Sequence, residues 1–110
     1  MRVINMTPHA VNLLGQDDQE LATFQPSGNL IRLSTTTVPA GEITVDGVVI
    51  PLTTTAFGDP EGLPSEEDGT MYIVSALVKS ALPSRKDLVV PNEAVRDDQG
   101  RIVGCRSLGV

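Results

Sequence analysis

One cysteine, three aromatic residues and a shortage of basic side chains each close off a class of explanation for this chain. A lone Cys105 can form neither an internal disulfide nor a multi-cysteine metal centre, and it fits a reducing, cytoplasmic setting. Phe24, Phe57 and Tyr72, with no Trp, are too few for a broad stacking platform, so the core has to come from Val, Leu and Ile. Eight basic residues against fourteen acidic ones leave a formal charge of -6, which argues against a nucleic-acid backbone or an anionic membrane as the partner. No apolar run approaches the roughly 18 to 20 residues of a membrane span, and the opening MRVINMTPHA lacks the apolar stretch of a signal peptide.

What remains is an ordinary folded composition. At 110 residues, with 40% hydrophobic and 20% charged residues, the chain is expected to form a single domain over 1–110 rather than a disordered segment. Short β-prone runs separated by turn residues dominate. Val3-Ile4 breaks at Asn5, Thr7 and Pro8. Ala10 to Leu14 and Glu20 to Phe24 flank a turn at Gly15 to Asp18, which predicts a hairpin. A further strand is expected to begin at Leu30, with Arg32 and Ser34 on its face, and to run until Pro39. Asp46-Gly47 between Glu42–Val45 and Val48–Ile50 is the clearest hairpin signal, because this pair readily takes the positive φ angles of a tight primed turn. Residues 56 to 69, AFGDPEGLPSEEDG, read as an exposed acidic loop.

The most informative stretch is 71 to 91, MYIVSALVKSALPSRKDLVVP. It spells a buried strand to Val74, a Ser75 cap, a helix over about 75–82 stopped by Pro83, and a second strand from Asp87 to Val90. Leu77, Val78, Ala81 and Leu82 share one face of that helix, with Lys79 turned to solvent. A strand, crossover helix and strand usually form a parallel unit, although an antiparallel return fits the short crossover as well. Arg96 then leads through Asp97 to Gly100 into a last hairpin ending at Cys105. The expected class is therefore α+β and β-rich, with antiparallel hairpins forming a curved sheet or small barrel around one principal helix.

Candidate chemistry is sparse. Ser75 at a helix start combines a hydroxyl with unpaired N–H groups and can face an anion, and it serves equally as a plain N-cap. Neither G-x-G-x-x-G nor G-x-x-x-x-G-K-[ST] occurs, which excludes the standard nucleotide loops. Six of the eight basic residues are Arg, whose planar fork suits phosphate or carboxylate. Arg32 and Arg96 occupy strand or strand-end positions and Arg85 lies just past the helix, two residues before Asp87; Arg85 with Asp87 or Arg96 with Asp97 also reads as a surface pair. His9, the only histidine, sits in the Thr7-Pro8-His9 turn and would need an orienting partner to act as acid or base. Cys105 with His9 imitates a nucleophile and base, yet a cysteine in an apolar strand usually packs as a small hydrophobe. The acids Asp59, Glu61, Glu66, Glu67 and Asp68 do not follow the calcium-loop pattern, so no metal site, cofactor or catalytic residue is expected.

Several segments together resemble a known group. V-I-N-M-T-P-H at 3 to 9, P-S-G at 26 to 28 followed by Arg32, Y-I-V-S at 72 to 75, R-K-D-L-V-V-P at 85 to 91 and R-D-D-Q-G-R-I-V-G-C at 96 to 105 resemble small proteins encoded in phage genomes, prophages and bacterial hosts. The resemblance implies a phage or mobile-element setting, with the host cytoplasm as the location, rather than a mechanism. Small proteins in that setting include anti-defence factors that sequester nucleotide-derived immune signals, and His9, Arg32, Ser75, Arg85 and Arg96 fall in the matching segments. The expected function is non-catalytic binding of a small phosphorylated or nucleotide-like ligand by a homo-oligomer, because small sheet proteins pair through exposed edges. The alternatives are a small hydrolase acting on such a ligand and a structural or regulatory phage protein that works through a protein interface.

Overall fold

The computed structural model describes residues 1–110. Eight strands and one short helix divide by their internal contacts into two compact units, one formed by 1–31 with 62–110 and the other by 32–61. The protein is strand-rich with a single helix, the α+β, β-rich class expected from the sequence.

The first unit holds β1 (Arg2–Asn5), β2 (Val11–Leu14), β3 (Glu20–Phe24), β6 (Thr70–Ile73), α1 (Ala76–Ala81), β7 (Leu88–Arg96) and β8 (Ile102–Gly109). Its strands form one sheet in the order β1-β6-β7-β8-β2-β3. The predicted hairpins are present: β2 pairs antiparallel with β3, and β7 with β8. The 71 to 91 unit takes the parallel form, with Tyr72 opposite Leu88 and Ile73 opposite Val89.

Alternation along these strands sends side chains to opposite faces, and on one face every strand of the sheet contributes to a common centre. Val11, Ile73, Val89 and Cys105 are buried there, with Val3, Leu13, Phe24, Met71 and Leu108 packed around them. Six strands can share one cluster only if the sheet curls, and its two outer strands do meet: Asn5 bridges Pro26 in parallel, and the Ser27 N–H donates to the Asn5 carbonyl at 2.9 Å. On the other face of the same strands Tyr72, Val74 and Leu88 are buried, together with Val78 of α1.

Asn5 staples the closure. Its Nδ2 donates to the carbonyls of His9 (2.7 Å) and Phe24 (2.9 Å), and its Oδ1 accepts from the backbone N–H and the hydroxyl of Thr7 (2.9 and 2.6 Å). The side chain is 2% exposed, and all its hydrogen-bonding capacity is used, which is what makes a buried amide tolerable. Gly104 permits the neighbouring approach of β2 to β8. A Cβ there would lie 2.8 Å from the Leu14 side chain and 2.9 Å from the Asn12 carbonyl.

The second unit is a hairpin of β4 (Thr35–Val45) and β5 (Val48–Phe57). Its Asp46-Gly47 turn has φ 52° and 80°, the two positive angles that a primed turn requires. Two expectations here need correction. Leu30 to Ser34 is not a strand: Arg32 makes only an isolated bridge to Glu61, and regular pairing starts at Thr35. Nor does Pro39 end the run. It lies beside a bulge that absorbs Ala40 and Gly41, and in a two-stranded ribbon alternate backbone N–H groups face solvent, so a missing donor is tolerated. Pro91 is likewise carried inside β7, beyond Val89, where β6 no longer pairs with that strand.

Helix α1 is narrower than predicted, and its apolar face is only partly used. Val78 is buried, but Leu77 is 49% exposed. Lys79 does not point away from the protein: its Nζ donates to the Leu88 carbonyl at 2.8 Å. No helix is long and apolar enough to cross a membrane.

Candidate functional site

The loop from β1 to β2 borders a cleft of mixed polar and apolar lining in the first unit. Thr7 closes the turn through Asn5, Pro8 fixes φ, and His9 follows, exposed, with its carbonyl held by Asn5 and Thr7 while its ring is left unengaged. Opposite lie the β7–β8 hairpin and the start of β2. Together they enclose about 370 Å³, with Val11, Ala94, Ile102 and Val103 as floor and wall and with Thr7, His9 and Asn12 at the polar margin. That volume lies within the range of small-ligand sites. Asn12 donates from Nδ2 to the Val103 carbonyl at 3.2 Å and accepts from Thr23 at 3.1 Å, leaving one amide N–H without a partner. The imidazole makes no hydrogen bond and is an unengaged polar group at the margin of the cleft.

Between Pro91 and Ala94, both lining residues, Glu93 adopts φ 56°. A non-glycine residue in the left-handed region within a strand stores strain, a feature enriched at binding sites. Nothing in the sequence around Glu93 marked it, since its conformation follows from the irregular course of β7 beside β8.

The sequence-derived candidates do not converge. His9 lines the cleft just described, and Ser75 lines a different one of about 270 Å³ with Met6, Pro8 and Leu30; Thr7 borders both. The Ser75 hydroxyl accepts from the Val78 N–H at 3.3 Å, the geometry of an N-cap on a six-residue helix. Arg96 is exposed beside Asp97 and Asp98 and donates to the Gly100 carbonyl at 2.7 Å across its own turn. Arg32 is exposed in the second unit.

Arg85 is a structural anchor. Its Nε and Nη2 grip Asp87 Oδ1 and Oδ2 at 2.8 and 2.7 Å, and Nη2 also donates to the Pro64 carbonyl at 3.0 Å. Glu66 lies 3.4 Å away, so this one guanidinium ties the acidic loop to the turn after α1. The hydrogen bond from Arg85 holds the Asp87 carboxyl below the usual carboxylate range, against the opposing effect of partial burial. The same bond raises Arg85 above its ordinary value.

Other cations are similarly committed. Arg101 pairs with Asp97, and Arg106 with Asp18 and the Gly15 carbonyl. The Arg2 guanidinium makes no ion pair. It borders a more open, polar cleft of about 480 Å³ with Asn5, Thr23, Gln25 and Ser27, where the two outer strands of the curved sheet approach. Nothing local in the sequence marks Arg2, an Arg at the start of a short strand.

No three His, Cys, Asp or Glu side chains gather as a metal centre would need. Cys105 borders the His9 cleft, but it is 2% exposed, belongs to the apolar cluster, and its Sγ lies 3.6 Å from the Asn12 carbonyl. A buried, engaged thiol of this kind is a poor nucleophile. Comparison with protein-family models, with curated proteins and with solved structures finds no match.

Proposed function

We propose that the protein is a non-catalytic binder of a small anionic, nucleotide-like ligand, seated in the His9 cleft. The observation that carries this reading is the pairing of an apolar floor, on which a flat ring can lie, with an unengaged imidazole at the margin. A cleft with a few polar groups set in an apolar lining is the usual build of a small-ligand site. The internal use of Arg85, Arg101 and Arg106 narrows the ligand, because few guanidiniums remain to neutralise a polyphosphate. A ligand with one anionic group facing His9 suits the cleft better. The resemblance to phage-encoded proteins extends the proposal to an anti-defence sponge that sequesters a nucleotide-derived immune signal in the host cytoplasm.

Binding rather than turnover is favoured by the absence of a group that orients the imidazole and by the burial of Cys105. Calorimetry against a panel of cyclic and linear nucleotides tests the reading. Saturable heat with one member is expected, weakened about tenfold or more by His9→Ala, with the ligand recovered chemically intact. No heat with any nucleotide sinks it, and a recovered product turns the reading to the hydrolase. Heat that survives His9→Ala but is lost in Arg2→Ala moves the site to the open polar cleft.

A further inference from the structure

The seam of the curled sheet is zipped at one end only. β1 is paired with β6 along one edge, and its other edge meets the far end of the sheet through the single Asn5–Pro26 bridge. The Arg2 and Met6 N–H groups donate to the Gly69 and Ile73 carbonyls on the β6 side, so alternation turns the Val3 peptide groups to the open edge, where no strand lies alongside. Side chains alternate as well. Val3 and Phe24 pack on the buried cluster, which leaves Arg2 on one side of the seam, and Thr23 and Gln25 on the other, at the outer surface. These residues border the open cleft of about 480 Å³. Its bonding sets it apart. In the first unit Arg85, Arg96, Arg101 and Arg106 are each held by a carboxylate or a carbonyl, whereas the Arg2 guanidinium makes neither an ion pair nor a hydrogen bond. The Gln25 and Asn29 carboxamides in the same lining are exposed and equally unengaged.

We propose that this cleft is a second binding site, for a carboxylate gripped by the Arg2 fork, with the Gln25 and Asn29 amides and the Val3 N–H as further donors. Shape and charge select the carboxylate. Its two coplanar oxygens match the planar guanidinium face, which binds them through two parallel hydrogen bonds. Arg2 is the one cation of the lining and balances a monoanion, whereas a phosphate monoester would bring about two negative charges to a chain already at -6. The same chemistry is offered by a small organic acid and by the end of a peptide. The proposal does not rest on the His9 cleft, with which this one shares no lining residue.

Amide chemical-shift titration of the full chain tests the site, with N-acetylglycine, its uncharged amide N-acetylglycinamide, inorganic phosphate and an N-acetylated tripeptide acid as probes. N-acetylglycine should move the amide signals of Val3, Gln25 and Asn29 saturably, with a Kd of about 1 mM for one charge-assisted contact, and leave those of Ala94 and Val103 in place. Arg2→Gln should weaken this at least ~10-fold, with the remaining spectrum unchanged because the Arg2 side chain is exposed. N-acetylglycinamide makes the same test without altering the protein, and neither it nor phosphate should saturate in the range where the acid does. Tighter binding of the tripeptide assigns the carboxylate to a peptide end, and equal or weaker binding assigns it to a small acid. Shifts that never saturate, an equal response to N-acetylglycinamide or to phosphate, undiminished binding by Arg2→Gln, or saturable shifts confined to the His9 cleft overturn the proposal.

Discussion

The two units of this chain show opposite ways of using the same alternating strand pattern. In residues 1–31 with 62–110, every strand of the six-stranded sheet adds a side chain to one cluster, and Ile73 and Leu88 are wholly buried. In residues 32–61 the strands are longer, yet nothing is buried. Regular backbone pairing is thus separable from core formation. A hairpin needs only compatible strands and an Asp46-Gly47 turn, whereas a core needs a sheet that curls back on itself.

Truncation separates the two units most sharply. Ile73→Ala should cost about 3 to 5 kcal/mol in denaturant unfolding, because it empties a fully packed position. Ile43→Ala should cost below about 1 kcal/mol, since its side chain is already 46% exposed. Equal costs would break the comparison.

Next in size is the closure of the curved sheet. Asn5→Ala removes the partner of the His9 and Phe24 carbonyls and of the Thr7 N–H, and should destabilise by about 2 to 4 kcal/mol. The same change should loosen the His9 turn, read as faster amide exchange at residues 7 to 10. Unchanged exchange there would mean that Asn5 does not hold the turn.

The Arg85–Asp87 pair supplies a pH test. The folded Asp87 value lies below the unfolded one near pH 4, so the pair's contribution is complete above that range and is lost as pH falls through the folded value. Arg85, raised in the folded state, contributes fully at every pH below its already basic unfolded value, so it adds no slope in the acid range. Stability measured from pH 7 down to 2 should therefore fall, and Asp87→Asn should flatten part of that fall while costing about 1 to 3 kcal/mol at neutral pH. A parallel pH profile in the variant would show that the pair is not the titrating element. Smallest is Ser75→Ala, expected to cost about 1 kcal/mol as a lost cap. If it instead abolished nucleotide binding with stability intact, Ser75 would be a ligand contact and the site would lie in its own cleft.

Much of the architecture was legible where the deciding forces are local. Ser75 and Pro83 bracket α1, and Gly15 to Asp18 and Asp97 to Gly100 turn their hairpins, because capping and positive φ depend on neighbouring residues. Pro39 and Pro91 misled, since a proline breaks a strand only where its N–H is needed, and that depends on which strand lies alongside. The candidate site was less legible. His9 could be picked out as the sole histidine, but the roles of the arginines could not: Arg85 is claimed by Asp87 and by Pro64, 21 residues away, and Arg106 by Asp18, 88 residues away.

From composition and local pattern alone follow the β-rich class, the capped helix, the hairpin turns and the chain's net negative charge. The tertiary structure alone decided that the outer strands meet at Asn5 and Pro26, that His9 overlooks an apolar cleft, and that most guanidiniums are spent on internal carboxylates and carbonyls. The physical reason is range. Turns and caps depend on hydrogen bonds a few residues apart, whereas a cleft, an ion pair and a closed sheet depend on groups that meet only after the chain has curled.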